Sequence, residues 1–210
     1  MSRQILRQTF GEDAELYDRV RPGYPSELFD ELARVVGDRP KVLEIGPGTG
    51  QATAAMIERG WSVTAVELSP GLAAVLQPKF PTVEVVVADF DTLQLPAASY
   101  DVVISATAFH WLDPATRVKR CADLLRPGGA LAVVSTQHVA GGSEQFFVDV
   151  QSCYERFTDD PVPNGLPQHR ALTTDRRDGL YGCISALMDR FGGSITKRYL
   201  NQLSVGICPH

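Results

Sequence analysis

Positive charge is in short supply: 20 Lys and Arg against 25 Asp and Glu leave a net charge of −5 and a pI near 5.4. A duplex nucleic-acid binder needs a basic face, so that class is set aside. Histidine is scarce too, with four in 210 residues, and His138, His169 and His210 have no partner at ligand spacing. No metal is assigned. The four cysteines (Cys121, Cys153, Cys183, Cys208) include no C-x-x-C pair and no disulfide framework, so free thiols in a reducing compartment are expected. No apolar run approaches the length of a membrane span, and the N-terminus, M-S-R-Q-I-L-R-Q-T-F-G, lacks the apolar centre of a signal peptide. A cytoplasmic protein without a membrane partner is expected. Its length suits one α/β domain, and nothing in the sequence reads out an oligomeric state.

Glycine, by contrast, is concentrated where it matters. Residues 41–50 read K-V-L-E-I-G-P-G-T-G, a short apolar strand that ends in a glycine turn and passes at once into a helix over 51–58. Gly46, Gly48 and Gly50 let the chain turn tightly and let a ligand approach. The following helix offers unpaired N–H groups in its first turn. Dinucleotide enzymes and methyltransferases both use such a turn. Here the spacing is G-x-G-x-G, Pro47 removes an amide that a pyrophosphate would want, and Glu44 would repel it. A carboxylate at that point suits a ligand carrying an ammonium group.

Further strands are expected over 62–67, 83–88, 100–105 and 130–135, in alternation with helical patterns that include one from Asp113-Pro114 to near Leu125. The third is almost wholly apolar, as a buried parallel strand would be. Strands alternating with helices imply parallel β-α-β units, with ligands bound beyond the carboxyl ends of the strands. Glu44, Glu67, Asp89 and Ser105 all fall there. Glu67, 17 residues after Gly50, can accept two ribose hydroxyls or act as a first-turn acid beside Ser69-Pro70. Asp89 can accept from an adenine amino group while Phe90 packs on the ring.

Residues 14–25, A-E-L-Y-D-R-V-R-P-G-Y-P, form a short helix broken by proline. Two readings stay open: aromatics covering the core edge, or a lid that brings Tyr17, Arg21 and Tyr24 over a pocket. Ser26 is expected to cap a helix to residue 36, and Ser143 one to about residue 157. His110 lies in the loop after the fourth strand, placed to act as base or substrate anchor, or simply to pack beside Trp111.

Taken in order, V-L-E-I-G-P-G-T-G, V-T-A-V-E-L-S, V-A-D-F, Y-D-V-V-I-S and R-P-G-G resemble the motif set of class I S-adenosylmethionine-dependent methyltransferases over about residues 14–136. Within that family Y-D-R-V-R-P-G-Y-P and A-F-H-W-L-D-P resemble the small-molecule branch that includes trans-aconitate methyltransferase. The resemblance implies a doubly wound, mostly parallel sheet of order 3-2-1-4-5 with a C-terminal antiparallel strand. It implies S-adenosylmethionine as cofactor and a small-molecule substrate. Glu44 with Gly46, Gly48 and Gly50 would hold the methionine part, Glu67 the ribose, and Leu68, Asp89 and Phe90 the adenine. Ser105 and Ala106 open the loop that would meet the methionine amine, and Tyr17 and Arg21 would close over the cofactor.

The chain reads as a single domain over 1–210, with a lid and first helix over 1–36 and an incomplete or divergent part over 137–210. In the family a longer stretch, with a sixth strand, precedes the counterpart of His169, so a segment is expected to be missing near Gln168 and His169. Beside methyl transfer, a non-catalytic cofactor-binding module and an NAD-linked oxidoreductase remain as alternatives.

Overall fold

The computed structural model describes residues 14–158 and 172–209. Its chain divides into two compact units, Met1–Thr136 with Asn201–His210, and Gln137–Leu200.

The first unit opens with α1 (Ala14–Val20) and α2 (Ser26–Val36). Then β1 (Lys41–Ile45), α3 (Gln51–Glu58), β2 (Ser62–Glu67), α4 (Pro70–Lys79), β3 (Glu84–Val87) and β4 (Tyr100–Ala106) alternate. A 3-10 turn (Phe109–Trp111) and α5 (Arg117–Leu124) lead into β5 (Leu125–Gly142). The sheet order is β3-β2-β1-β4-β5-β6, with β6 spanning Lys197–Ile207. Neighbours among β1 to β5 are parallel. β6 runs against β5: Gly128 and Gly129 exchange backbone hydrogen bonds with Cys208, while Thr136 further on bonds Asn201. This is the order expected from the motifs. Among the described residues one strand follows β5, and it pairs with β5 directly. The expected gap near Gln168 and His169 falls outside the described residues.

Strand periodicity explains why both sheet faces are covered. Side chains two apart share a face. Val42, Val102, Ile104, Ala132 and Val134 join Phe29 and Leu32 of α2, Met56 of α3 and Leu76 of α4 in one buried cluster. Leu43, Ile45 and Val103 join Phe90, Leu112 and the α5 residues Cys121 and Leu124 in the other. Glu44 lies on the Val42 side of β1, beneath α3. Several sequence expectations need correction. β3 is partly exposed, Val87 to 51%, because it is the sheet edge and has a neighbour on one side alone. Ser26 is the first residue of its helix, after Pro25 at the N-cap, and Ser143 stands at the N-cap of its helix without a side-chain capping bond. The Ser26 hydroxyl accepts from Arg59 and the Ser143 hydroxyl from the Thr196 N–H, so tertiary partners have taken both oxygens.

The second unit packs α6 (Glu144–Phe157) with α7 (Thr174–Arg190) through Phe146, Val150 and Leu187. Cys153 and Cys183 form a disulfide between these helices, while Cys121 and Cys208 are free. The expectation of four free thiols is therefore wrong. A 30-residue separation carries no local pairing pattern, and only helix packing brings the two sulfurs together. The cysteine argument for a reducing compartment goes with it. Among the described residues no helix is long and apolar enough to cross a membrane.

Candidate functional site

The glycine turn leaves β1 with Gly46, Gly48 and Gly50 all at positive φ (+69°, +62° and +100°), which favours glycine at each. Their spatial duties differ. A Cβ at Gly46 would lie 2.6 Å from that of Ala108, so this glycine admits the loop after β4. A Cβ at Gly50 would overlap the Phe80 ring and sit 2.7 Å from Leu76 Cδ1, so Gly50 serves packing against α4 rather than ligand approach. At Gly48 the nearest atom would be the Tyr17 ring at 3.6 Å. Gly48 is where the backbone lies open beneath Tyr17.

Two buried acids flank this turn. Glu44, 1% exposed, lies one residue before the end of β1 and accepts a 2.6 Å hydrogen bond from the Thr53 hydroxyl on α3. Burial pushes its carboxyl up to about 7; the Thr53 bond works against the rise, and the Glu67 charge adds to it. Glu67 ends β2. Its two oxygens accept the Gly48 N–H at 3.0 Å and the Ser69 N–H at 2.8 Å. Burial raises its pKa as well, opposed by these backbone bonds. Glu67 thus fastens the glycine turn to the second strand, and with the Leu68 N–H also acting on it the carboxylate keeps acceptor capacity for a hydroxyl donor. With a carboxylate already on the Gly48 amide, a pyrophosphate would meet like charge in this turn, which opposes the dinucleotide reading.

Asp89, two residues beyond β3, accepts the Asp91 N–H at 3.0 Å. Phe90 beside it is 3% exposed and packs into the core with Tyr100 and Leu112. Its ring is committed to the protein interior, with the Arg120 guanidinium 5.3 Å from its centroid. Leu68 is half-buried at the β2 end. Ser105 is fully buried and donates to the Ile45 carbonyl at 3.0 Å, tying β4 to β1 rather than facing the turn. Ala106 closes β4 at 9% exposure.

The N-terminal segment lies against these strand ends. Tyr17 lies against Gly48, and burial raises its pKa. Asp18 pairs with Lys79 at 2.6 Å and takes a longer bond from Gln51. Arg21 donates to the Thr107 hydroxyl at 3.1 Å, and Tyr24 shares a 2.7 Å bond with the same oxygen. No residue of α1 is fully buried; the half-buried Tyr17 and the polar contacts of Asp18 and Arg21 hold the segment. Thr107 escaped the sequence reading. It is a β-branched residue at φ +53°, a conformation that no local pattern announces. Thr53 escaped as well, being an ordinary helix residue until the fold sets it under Glu44.

Glu44, Glu67 and Asp89 therefore meet at one rim, the carboxyl ends of the neighbouring strands β1, β2 and β3. His110 is exposed on the 3-10 turn after β4, its ring 4.7 Å from that of Trp111. Among the described residues no cluster of His, Cys, Asp and Glu could hold a metal ion.

A sequence model described as a methyltransferase domain matches residues 43–133. An uncharacterized methyltransferase of Mycobacterium bovis is 38% identical over 133 residues, 63% of this chain and 54% of that protein. An uncharacterized methyltransferase of Geobacillus kaustophilus is 32% identical over 149 residues, 65% of this chain and 68% of that protein. The chain belongs to the class I S-adenosylmethionine-dependent methyltransferases. It spans about half the length of the mycobacterial relative. The solved structure of a Haemonchus contortus phosphoethanolamine N-methyltransferase with S-adenosyl-L-methionine covers 100% of this chain and 60% of its own. Identity is 19% and the TM-score 0.59, a likeness of fold. The rim suits a ligand that carries an ammonium group. Gly48 leaves open backbone under Tyr17, and Glu44 is a buried acid with no salt-bridge partner among the described residues.

Proposed function

We propose that the protein moves a methyl group from S-adenosylmethionine to a small-molecule acceptor bearing a carboxylate or a hydroxyl. The supporting observation is the pair of buried acids, Glu44 and Glu67, on either side of an open glycine turn and under a polar lid. Glu44 takes the cofactor's ammonium group, and Glu67 accepts from the ribose hydroxyls with its remaining lone pairs. Asp89 accepts from the adenine amino group, and Leu68 packs on the ring. Phe90 supports that site from the core rather than by stacking. Arg21 exchanges Thr107 for the cofactor's carboxylate, a charge-assisted bond.

Bound cofactor supplies an electrophilic methyl group on a sulfonium. The chain's part is to hold donor and acceptor in line and keep water out, an effect worth ~7–11 kcal/mol when fully realised. Tyr17 and Tyr24 supply the cover. A carboxylate acceptor needs no base. A hydroxyl acceptor does, and His110 is the candidate at the β4 end. The Tyr17–Pro25 and Ala108–Pro114 segments, through their resemblance to trans-aconitate methyltransferase, favour a small carboxylic acid. An acidic chain suits neither nucleic acid nor an anionic membrane surface as partner. A cytoplasmic location belongs to this proposal too, although the disulfide weighs against it.

Calorimetric titration with S-adenosylmethionine and with NAD, followed by turnover against small carboxylic acids, phenols and amines, tests the reading. Binding of S-adenosylmethionine alone, with transfer to an oxygen acceptor, is expected. Binding without transfer to any acceptor would favour a non-catalytic module, and NAD binding would overturn the reading.

A further inference from the structure

Glu44 sits in an unusual position for an acid that must meet a cation. It is 1% exposed, and its bond among the described residues comes from a neutral hydroxyl, that of Thr53, itself fully buried. The titratable groups acting on it are Glu67 from the β2 end and Tyr24 from the lid segment, and neither offers positive charge. From β4 it faces Ile104, its register partner, and from β2 Ala65. An ionised carboxylate buried there, with no salt-bridge partner among the described residues, carries a large desolvation cost. Its carboxyl is accordingly pushed up to about 7 by burial.

We propose that Thr53 is a positioning residue that holds Glu44 ready to lose its proton when the cofactor's ammonium arrives, so that cofactor binding releases a proton to solvent. The proposal rests on the cofactor reading above. The balance is simple: a protonated Glu44 and a ligand ammonium become a carboxylate–ammonium pair, and one proton leaves to buffer. Thr53 sets the pH at which this becomes easy, because its hydroxyl stabilises the charged form. Removing the hydroxyl shifts the transition upward. Replacing it by another hydroxyl does not.

The consequence is a binding curve that depends on pH below neutrality. At pH 6 the ionised fraction is small, and affinity should fall roughly fivefold from its value at pH 8, where about half of the ligand's amine is still protonated. The ligand's own amine loses its proton at about pH 8, which bounds the curve on the alkaline side. The probe is S-adenosylhomocysteine, titrated calorimetrically into the full chain at pH 6, 7 and 8 in two buffers of different ionisation enthalpy. Wild type should release nearly one proton per ligand at pH 6, and at pH 8 the release should give way to a small net uptake by the ligand's amine. Thr53→Val should weaken binding at pH 7 several-fold more than at pH 8, and Thr53→Ser should restore the wild-type curve. Glu44→Gln should abolish the release.

Wild-type binding of equal strength from pH 6 to 8 without proton release would overturn this proposal and leave the cofactor reading standing. A Thr53→Val variant weakened equally at every pH would reduce Thr53 to a packing role. No binding at any pH would remove the cofactor reading itself.

Discussion

The strand-end rim and the helix pair of the second unit are stabilised in opposite ways. At the rim, buried acids are tied to backbone amides and a hydroxyl, and the N-terminal segment, with no fully buried residue in its helix, lies against it through Tyr17 and polar contacts. In the second unit a covalent bond joins α6 to α7 beside a small apolar cluster. A ligand site must open and exchange charge, so its contacts are ones that water can replace. A helix pair with few buried side chains gains instead from a cross-link that restrains its unfolded chain.

Cutting the cross-link tests that contrast most strongly. Closing a 30-residue loop is worth ~3–4 kcal/mol in the chain-entropy account. Cys153→Ala with Cys183→Ala should destabilise the protein by about that amount in urea unfolding, with S-adenosylhomocysteine affinity unchanged. A change in affinity would mean that the two regions are not independent. Next comes Gly50→Ala, which combines positive φ with overlap on Phe80. A loss of ~3 kcal/mol is expected, read by thermal unfolding.

The rim should also leave a pH signature that the helix pair does not. Glu44 has a higher pKa folded, about 7, than its ordinary 4.5, so the native state binds more protons between those values. Stability is fully present below pH 4.5 and is lost as pH rises through about 7, by up to ~3 kcal/mol from this group. Glu44→Gln should flatten that fall between pH 5 and 8 in urea unfolding; an unchanged slope would mean that Glu44 is ionised at little cost. Asp89→Ala should cost cofactor affinity on the order of 1–3 kcal/mol through an unpaired adenine donor. Unchanged affinity in calorimetry would mean that β3 does not reach the cofactor.

How much of this was legible follows from how local each feature is. The 41–50 turn and the Glu67 strand end are set by residues close in sequence, and they stand where the pattern puts them. β3 was misjudged because an apolar run looks the same at an edge as in a sheet centre. Glu44 was visible as an acid, but not its hydrogen bond to Thr53. Likewise Arg21 and Tyr24 could be gathered as a lid, yet their shared anchor Thr107 lies more than eighty residues away. The Cys153–Cys183 pair depends wholly on two helices packing together, which no spacing rule contains.

The most direct measurement of the central claim is a crystal structure of the full chain with S-adenosylhomocysteine bound. The account predicts the ligand's ammonium against Glu44, its ribose hydroxyls on Glu67, and Arg21 moved from Thr107 to the ligand carboxylate. A ligand bound elsewhere, with the Glu44–Thr53 and Glu67–Gly48 contacts untouched, would contradict it.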